Sequence, residues 1–309
     1  MKAIISLLVM IVGVACSSEP TITKDMLDGG TLFDPSIYKP ENYLVSKAIP
    51  TPTPEQARKP VIIACHGYTA TTFEWDELRT WAAGRTDILL SQVLLGGHGR
   101  SYDEFKKSTW RDWQSAITDE YDRLEKSGYQ NINLLGSSTS GALLMELVAS
   151  GYFANRTAPR NILLVDPIVI PSDKTLSLVK VFGPMLGYVE TDQSADEDKV
   201  YYRFRPQETL QELQNLLTTV RKDLEKGIKL PPNCTLKVYK SSKDSSADPV
   251  SAVLIHKGIT TDQGKPITVD LIDSDLHVYT RLNLRSNVTT KDRTNQTATF
   301  TDIAARVLR

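Results

Sequence analysis

A short turn rich in serine is the segment of this chain best suited to nucleophilic chemistry. An apolar run, Ile132 to Leu135, leads into Gly-Ser-Ser-Thr-Ser-Gly at 136–141, and a helix-like stretch follows. A serine nucleophile on a sharp strand-to-helix turn needs small neighbours two residues before and two residues after it, in the pattern G-x-S-x-G. Gly136 and Ser138 fit this pattern, whereas Ser140 stands in place of the second glycine. The spacing predicts Ser138 as a nucleophile, and the alternative is a serine-rich turn without a chemical role.

A second turn provides backbone amides for such a nucleophile. Acyl transfer needs donors for the developing oxyanion, usually the amide after the nucleophile and an amide from the loop after an earlier strand. His66, Gly67 and Tyr68 directly follow the apolar run Val61–Cys65. We therefore expect the backbone amides of Tyr68 and Thr139 to form an oxyanion hole. A serine on such a turn precedes its acid and its base in the chain, so His66 is expected to be structural.

The elements that would position these residues alternate between strands and helices. Short apolar runs, typical of strands buried on both faces of a parallel sheet, recur along the chain at Val61–Cys65, Ile88–Leu95, Ile132–Leu135, Ile162–Val165, Leu236–Tyr239 and Ile267–Ile272. Amphipathic stretches of helical length lie between them, for example at Trp110–Lys126, Gly141–Ser150 and Val250–Lys257. This alternation predicts an α/β protein, with a parallel sheet and helices on both faces.

One connection interrupts the alternation. Residues 167–229 are far more than a usual βα or αβ loop contains. They include an apolar stretch, an acidic patch and a long amphipathic helix, at Leu176–Val189, Asp192–Asp198 and Gln207–Ile228. We expect this insertion to form a cap over the carboxyl ends of the strands, with the α/β core at 58–166 and 230–309. The alternative is a packing appendage that does not contact substrate.

The N-terminus has the pattern of a secretory signal. Lys2 is followed by an apolar run, Ala3 to Ala15, that is too short for the about 20 residues of a transmembrane helix. The run ends at Cys16, and Val14-Ala15-Cys16 resembles the cleavage site of bacterial lipoproteins, although Gly13 departs from that pattern. We therefore expect residues 1–16 to be a lipoprotein-type signal with Cys16 as the lipidated first residue of the mature protein. The alternative is an ordinary cleaved signal peptide.

A tether is predicted between the anchor and the folded domain. Residues 17–57 lack the strand and helix patterns of the later chain, and Pro50, Pro52 and Pro54 favour an extended segment at its end. A lipidated N-terminus would hold the protein on the bacterial cell envelope, at its periplasmic or extracellular face.

Composition excludes several other classes of function. The chain has 36 Lys and Arg against 37 Asp and Glu, so its net charge of -1 does not favour nucleic acid or an acidic membrane surface. Cys65 and Cys234 lie in or beside apolar runs, as buried thiols do. The four histidines are scattered, without an HxxxH or CxxC pair, and we expect no metal and no other cofactor.

Several motifs together resemble one group of enzymes. They are His66-Gly67-Tyr68, Gly97-His98-Gly99, Trp110-Arg111-Asp112-Trp113 and the turn at Ser138. In this combination the sequence is similar to the monoacylglycerol lipase and small bacterial carboxylesterase group of α/β-hydrolases, from about Lys59 to the C-terminus, excluding most of the cap. The resemblance implies the α/β-hydrolase fold and hydrolysis of carboxylic esters. It also implies that His98 lies in a structural loop and is not a catalyst.

The resemblance also implies the identity of the catalytic acid. That group carries Asp after a late strand, then a small or apolar residue at three positions on, Pro at five and Ala at eight. The same spacing occurs here at Asp244, Ala247, Pro249 and Ala252. Asp248 is the competing residue, but its place before Pro249 suits a helix N-cap. Asp166, after the preceding strand, is a third option.

The base is implied in the same way. The group has acidic or small residues after the last strand, then His and an aliphatic residue, as in Asp273 to Val278, so His277 is the expected base. His256 lies in a helix-like stretch and is expected to be solvated. We predict a serine esterase acting on a small-molecule or lipid-derived ester. The alternatives are a thioesterase or amidase with the same triad, or an envelope binding protein that has lost catalysis.

Overall fold

Ten strands occur in the computed structural model, which describes residues 39–172 and 187–309. Their bounds are β1 Val61–Cys65, β2 Leu89–Val93, β3 Ile132–Ser137, β4 Asn161–Val165, β5 Tyr188–Glu190, β6 Phe204–Pro206, β7 Ile228–Lys229, β8 Thr235–Ser241, β9 Ile259–Thr260 and β10 Thr268–Ile272. Six of them form one parallel sheet in the order β2-β1-β3-β4-β8-β10. Each of the six coincides with a predicted apolar run, and the predicted parallel α/β sheet is confirmed.

Helices connect these strands. The α-helices in the described ranges are α1 Val45–Ala48, α2 Pro54–Arg58, α3 Asp76–Ala83, α4 Tyr102–Lys107, α5 Trp110–Lys126, α6 Thr139–Ala149, α7 Gln207–Lys226, α8 Val250–Gly258 and α9 Thr290–Val307. Short 3-10 helices lie at Pro40–Asn42, Thr72–Trp75 and Glu197–Lys199. Helix α5 has the bounds that the sequence predicts, because the Thr109 side chain and Asp112 form a capping box at its start.

Both faces of the sheet are buried at its central strands β1, β3 and β4, whereas the edge strand β10 is largely exposed. Side chains alternate along β1, so Val61 and Ile63 pack into one core cluster while Ile62 and Ala64 pack into the other. The first cluster includes apolar residues of α5, α6, α7 and α8, and the second includes those of α3 and α9. The strands therefore need apolar residues on both faces, which explains the continuous apolar runs in the sequence.

The long helix of the predicted cap packs mainly on the core. Leu213, Leu216 and Val220 of α7 are buried in the first core cluster, which also contains residues of α6 and α8. The apolar face of α7 is therefore covered by neighbouring helices of the core. Strands β5 and β6 form an antiparallel hairpin in the same insertion. Residues 173–186, which include most of the predicted apolar stretch, lie outside the described residues.

The predicted tether is partly folded. Val45 and Ser46 of α1 are buried, and the Val45 amide donates a hydrogen bond to Ser91 Oγ at 2.8 Å. Pro54 is the first residue of α2, a position at which proline is favoured because its missing N–H has no helical partner. The tether therefore does not extend to residue 57 as predicted. The predicted signal peptide and Cys16 lie outside the described residues.

Among the helices in the described part of the chain, none combines the length and the apolar character needed to cross a bilayer.

Candidate active site

Ser138 lies on a strained turn between β3 and α6. Its φ and ψ are 49° and -115°, outside the regions that L-residues favour. A Cβ atom on Gly136 would lie 2.9 Å from a methyl group of Leu144, and one on Gly141 would lie 2.7 Å from Pro167 Cβ. Glycine is therefore required at both positions by close packing, as in a nucleophile elbow.

Ser140 explains how the turn departs from G-x-S-x-G. Its Oγ donates hydrogen bonds to the carbonyl oxygens of Cys65 and Ser137, at 2.6 and 2.8 Å. The side chain is fully buried, yet its only polar atom is satisfied. In the G-x-S-x-G pattern the second glycine permits close packing of the backbone. Here Gly141, one residue later, provides this close packing against Pro167. The substitution therefore leaves the turn intact.

The structure brings the predicted nucleophile, base and acid together. His277 Nε2 lies 2.9 Å from Ser138 Oγ, and His277 Nδ1 lies 2.8 Å from Asp244 Oδ2. The three side chains come from the loops after β10, β3 and β8, which open at the same edge of the sheet. In this arrangement the Asp244 carboxylate accepts a hydrogen bond from the Nδ1–H of His277, which leaves Nε2 free to accept the Ser138 proton.

The Asp244 carboxylate is held in its ionised form. Its Oδ1 accepts hydrogen bonds from the backbone amides of Ser246 and Ala247, at 2.8 and 3.0 Å. Burial alone would raise the pKa of Asp244, but the hydrogen bonds and positive charges of His277 and Lys240 outweigh it and hold that pKa well below its usual range. The acid can therefore stabilise an imidazolium on His277.

Lys240 is a neighbour of the acid that the sequence reasoning missed. Its Nζ is fully buried, bonds to Asp244 Oδ2 and lies 3.4 Å from Asp166 Oδ1. Its position in an apolar strand could have indicated this contact, because a lysine is rarely fully buried without an acidic partner. The ligand atoms of Asp166, Asp244 and His277 lie within 4.8 Å of one another, as in a metal site. The ammonium group already contacts both carboxylates and would repel a metal cation at this position.

The competing acids have other partners. Asp166 accepts hydrogen bonds from the backbone amides of Ser241 and Tyr279, at 2.6 and 3.2 Å, and so ties the loop that bears His277 to β8. Burial is the main cause of its raised pKa. Asp248 Oδ1 accepts a hydrogen bond at 2.8 Å from the amide of Val250, the first residue of α8. Neither carboxylate is hydrogen bonded to His277.

The other histidines have structural contacts. His66 Nε2 accepts a hydrogen bond from the Leu95 amide at 3.0 Å, and His98 Nε2 accepts one from the Thr69 amide at 3.3 Å. Both rings are completely buried, and burial lowers the pKa of His66 to about 4 and that of His98 well below its usual value. His256 is exposed on α8.

The loop after β1 adjoins the nucleophile. A Cβ on Gly67 would lie 3.1 Å from Ser138 Cβ, so the backbone of this loop is in close contact with the elbow. Glu74, whose role the sequence did not indicate, accepts a hydrogen bond from the Gly67 amide at 2.8 Å and another from Ser137 Oγ. The amides of Tyr68 and Thr139 have no hydrogen-bond acceptor in the described part of the chain. Both are available to a ligand.

A cavity of about 230 Å³ opens beside Ser138 and His277. Its lining is rich in charge and comes mainly from the loop after β1, the insertion at 167–229 and the segment after His277. The charged residues are Glu74, Asp192, Glu197, Arg205, Arg281 and Arg285. The sequence reasoning missed the arginines, because they are scattered along the chain and form no motif.

The sheet order, the elbow and the sequential arrangement of serine, acid and histidine define an α/β-hydrolase fold. The sequence is 24% identical over 206 residues to a thermostable monoacylglycerol lipase of Bacillus sp. strain H-257, covering 65% of this chain and 77% of that lipase. No protein-family model matches the sequence.

Solved structures of lipolytic enzymes share this fold. A structure from work on the metagenome-derived lipolytic enzymes LipS and LipT aligns with a TM-score of 0.63 and 19% identity, over 81% of this chain and 94% of its own. A Paleococcus ferrophilus monoacylglycerol lipase aligns with a TM-score of 0.59 and 12% identity, over 81% of this chain and 96% of its own. A soluble variant of Saccharomyces cerevisiae monoglyceride lipase aligns with a TM-score of 0.60 and 10% identity, over 83% of this chain and 88% of its own. The predicted α/β-hydrolase fold and its resemblance to lipases and esterases are confirmed.

Proposed function

We propose that this protein is a serine hydrolase that cleaves carboxylic esters, with Ser138 as nucleophile, His277 as general base and Asp244 as the acid that orients it. The observation that carries this proposal is the continuous hydrogen-bonded chain from Ser138 Oγ through the imidazole to Asp244 Oδ2, with both contacts under 3 Å. Ser138, at one end of these hydrogen bonds, lines a cavity through which a substrate can reach it.

The geometry supports a two-step reaction. Ser138 Oγ attacks the ester carbonyl carbon while His277 Nε2 accepts its proton, and the amides of Tyr68 and Thr139 stabilise the oxyanion. Collapse of the tetrahedral intermediate breaks the bond to the alcohol, which leaves with the proton from His277. Water then attacks the acyl-enzyme by the same route, which releases the acid and restores Ser138.

Ester substrates are favoured over thioesters and amides by the similarity to lipases. The Bacillus relative is named a monoacylglycerol lipase, and the structural neighbours include further lipolytic enzymes. The ester is therefore proposed to be a small-molecule or lipid-derived monoester. The triad alone would serve the other acyl groups equally well.

Labelling with a fluorophosphonate probe tests the nucleophile. The folded protein should form a covalent adduct whose mass maps to Ser138, because such probes react with an activated serine and not with ordinary hydroxyls. Heat-denatured protein and the Ser138→Ala variant should both remain unlabelled. An adduct on another serine, or no adduct on the folded protein, would reject the proposed role of Ser138.

We also propose that the protein is anchored to the bacterial cell envelope by lipid on Cys16. This proposal rests on the apolar run before Cys16 and on Val14-Ala15-Cys16. A single acyl chain binds membranes only marginally, so a firmly held enzyme needs the several chains of a lipoprotein N-terminus.

A further inference from the structure

Three arginine side chains from two parts of the chain line the cavity beside Ser138. Arg205 lies on β6 in the cap hairpin, whereas Arg281 and Arg285 follow His277. A guanidinium group presents a fixed fork of donors that matches the oxygens of a carboxylate or a phosphate. The cavity therefore concentrates donors for an anionic group next to the nucleophile.

Two of these guanidinium groups have no acidic partner. Arg281 is paired with Glu197, at 3.4 Å between Nη1 and Oε1. Arg285 donates only to backbone carbonyl oxygens, those of Arg281 and His277. Within the described ranges no carboxylate oxygen lies within the 4.0 Å ion-pair distance of Arg205 or Arg285. Both guanidinium groups are thus without a direct ion-pair partner in the described part of the chain.

Arg205 is the stronger of the two candidates for ligand binding. Its Nε is buried and has no hydrogen-bond partner. Burial also lowers the pKa of Arg205, which shows that its charge is poorly solvated. An unpaired buried donor is costly in free energy, and an anion that enters the cavity would satisfy both the donor and the charge.

The acidic residues of the cavity form no ion pair with Arg205 or Arg285, and each has other surroundings. Glu74 is engaged by the Gly67 amide and Ser137, and Glu197 is engaged by Arg281. Asp192 is exposed to solvent, where water screens its charge.

We propose that the substrate of this site is an ester that also carries a carboxylate or phosphate group, which Arg205 binds with support from Arg285. The inference rests on the proposed ester hydrolase activity and adds the substrate class. Arg205 and Ser138 line the same cavity of about 230 Å³, so the anionic group lies a few bonds from the scissile ester. The binding energy of that group would position the carbonyl carbon at Ser138.

Matched esters test this proposal. Monoethyl succinate carries a carboxylate, ethyl succinamate replaces it with a neutral amide of the same shape, and ethyl 3-phosphonopropanoate carries a phosphonate. At neutral pH the wild-type protein should hydrolyse monoethyl succinate or the phosphonate ester with a kcat/KM roughly 10- to 100-fold above that for ethyl succinamate. The anionic ester with the higher kcat/KM indicates whether the site prefers a carboxylate or a phosphate group.

Variants of Arg205 assign the preference to this residue. Arg205→Met should reduce the ratio of kcat/KM for the preferred anionic ester to that for ethyl succinamate by roughly tenfold or more, and Arg205→Lys should restore part of it. Arg203→Met is the matched control, because Arg203 lies two residues earlier and its charge is already paired with Asp198 and Glu190. Its ratio should stay at the wild-type value.

The outcomes separate the inference from the function on which it rests. If the wild-type protein hydrolyses all three esters with equal kcat/KM in a Ser138-dependent way, the inference is wrong and the esterase activity stands. A preference that survives Arg205→Met would exclude Arg205 as the anion-binding residue. If none of the esters is hydrolysed and the protein is not labelled at Ser138, the proposed function fails and the inference fails with it.

Discussion

At the scale of single residues, Asp244 has an unusual set of neighbours. One carboxylate oxygen is shared by His277 and the buried ammonium of Lys240, and the other is bound by two backbone amides. A carboxylate with so many donors has little freedom to rotate, which fixes the orientation of the imidazole. In the proposed triad Lys240 is a positioning residue, because its ammonium group contacts the Asp244 carboxylate.

The Asp244 assignment can be tested against its neighbour in sequence. Asp244→Asn keeps the size of the side chain but offers His277 Nδ1 an amide in place of a carboxylate, and such a change costs about ten-thousandfold in kcat in a well-studied triad. Asp248→Asn is the matched control, because asparagine can still accept the hydrogen bond from Val250 and cap α8. Its turnover should be close to wild type.

Both Asn variants are compared at saturating ester, with circular dichroism to confirm folding. An inactive Asp248→Asn beside an active Asp244→Asn would contradict the assignment. It would place the acid four residues further along the same loop.

The sequence predicted some of these residues and not others for a physical reason. Ser138, Asp244 and His277 occupy loops with recognisable spacing, and the structure brings these loops together. Arg205 and Lys240 carry no such pattern, since their surroundings are created by distant segments that meet only in the folded chain. Local spacing can identify a nucleophile elbow, but it cannot show which charged side chains become buried in the folded protein.

At the scale of elements, the loops after β1 and β2 are joined by a buried histidine. His66 follows β1 and accepts a hydrogen bond from Leu95, which follows β2. Its Nδ1 lies 2.8 Å from the Gly67 carbonyl oxygen, so the neutral ring with a proton on Nδ1 satisfies both contacts. This ring holds the loop that carries the predicted oxyanion-hole amide of Tyr68.

The buried ring predicts a loss of stability in mild acid. Its pKa is about 4 in the folded protein against 6.5 for an ordinary histidine, so the unfolded chain binds more protons between these values. The free energy of unfolding should therefore fall as the pH falls from 6.5 to about 4, by up to about 3 kcal/mol from this ring, and His98 should act in the same direction.

Urea denaturation across this pH range measures the effect. His66→Gln removes the titrating ring, so its unfolding free energy should depend less steeply on pH than that of the wild-type protein. His256→Gln is the control, because His256 is exposed, and it should keep the wild-type slope. Equal slopes for all three proteins would contradict a neutral buried His66.

Strands and helices differ in how well the sequence predicted them. The central strands β1, β3 and β4 were predictable because burial on both faces demands continuous apolar runs, whereas the edge strand β10 is largely exposed. The predicted bounds of α7 were nearly right, but the sequence could not show its packing partners, because an amphipathic face indicates that a helix buries one side without showing against what. The same limit applies to α1 and α2, which are too short to produce a periodic pattern.

At the scale of the whole molecule, the proposed anchor would determine where the enzyme acts. Mass spectrometry of the mature N-terminus from membranes should show Cys16 as the first residue, with diacylglycerol on its sulfur. Cys16→Ser should abolish the modification and release the protein from the membrane fraction, since no thiol remains to accept lipid. A mature chain that begins at another residue without lipid would contradict the anchor.

The central claim concerns the triad, and the most direct measurement is the turnover of a short neutral aryl ester by the wild-type protein and three variants. Ser138→Ala and His277→Ala should each reduce kcat by about 10⁶-fold, because members of a triad act as one unit, with circular dichroism spectra unchanged. Ser115→Ala, at an exposed serine on α5, should have wild-type turnover. If Ser138→Ala keeps the turnover of Ser115→Ala in a folded protein, Ser138 is not the nucleophile and the account is wrong.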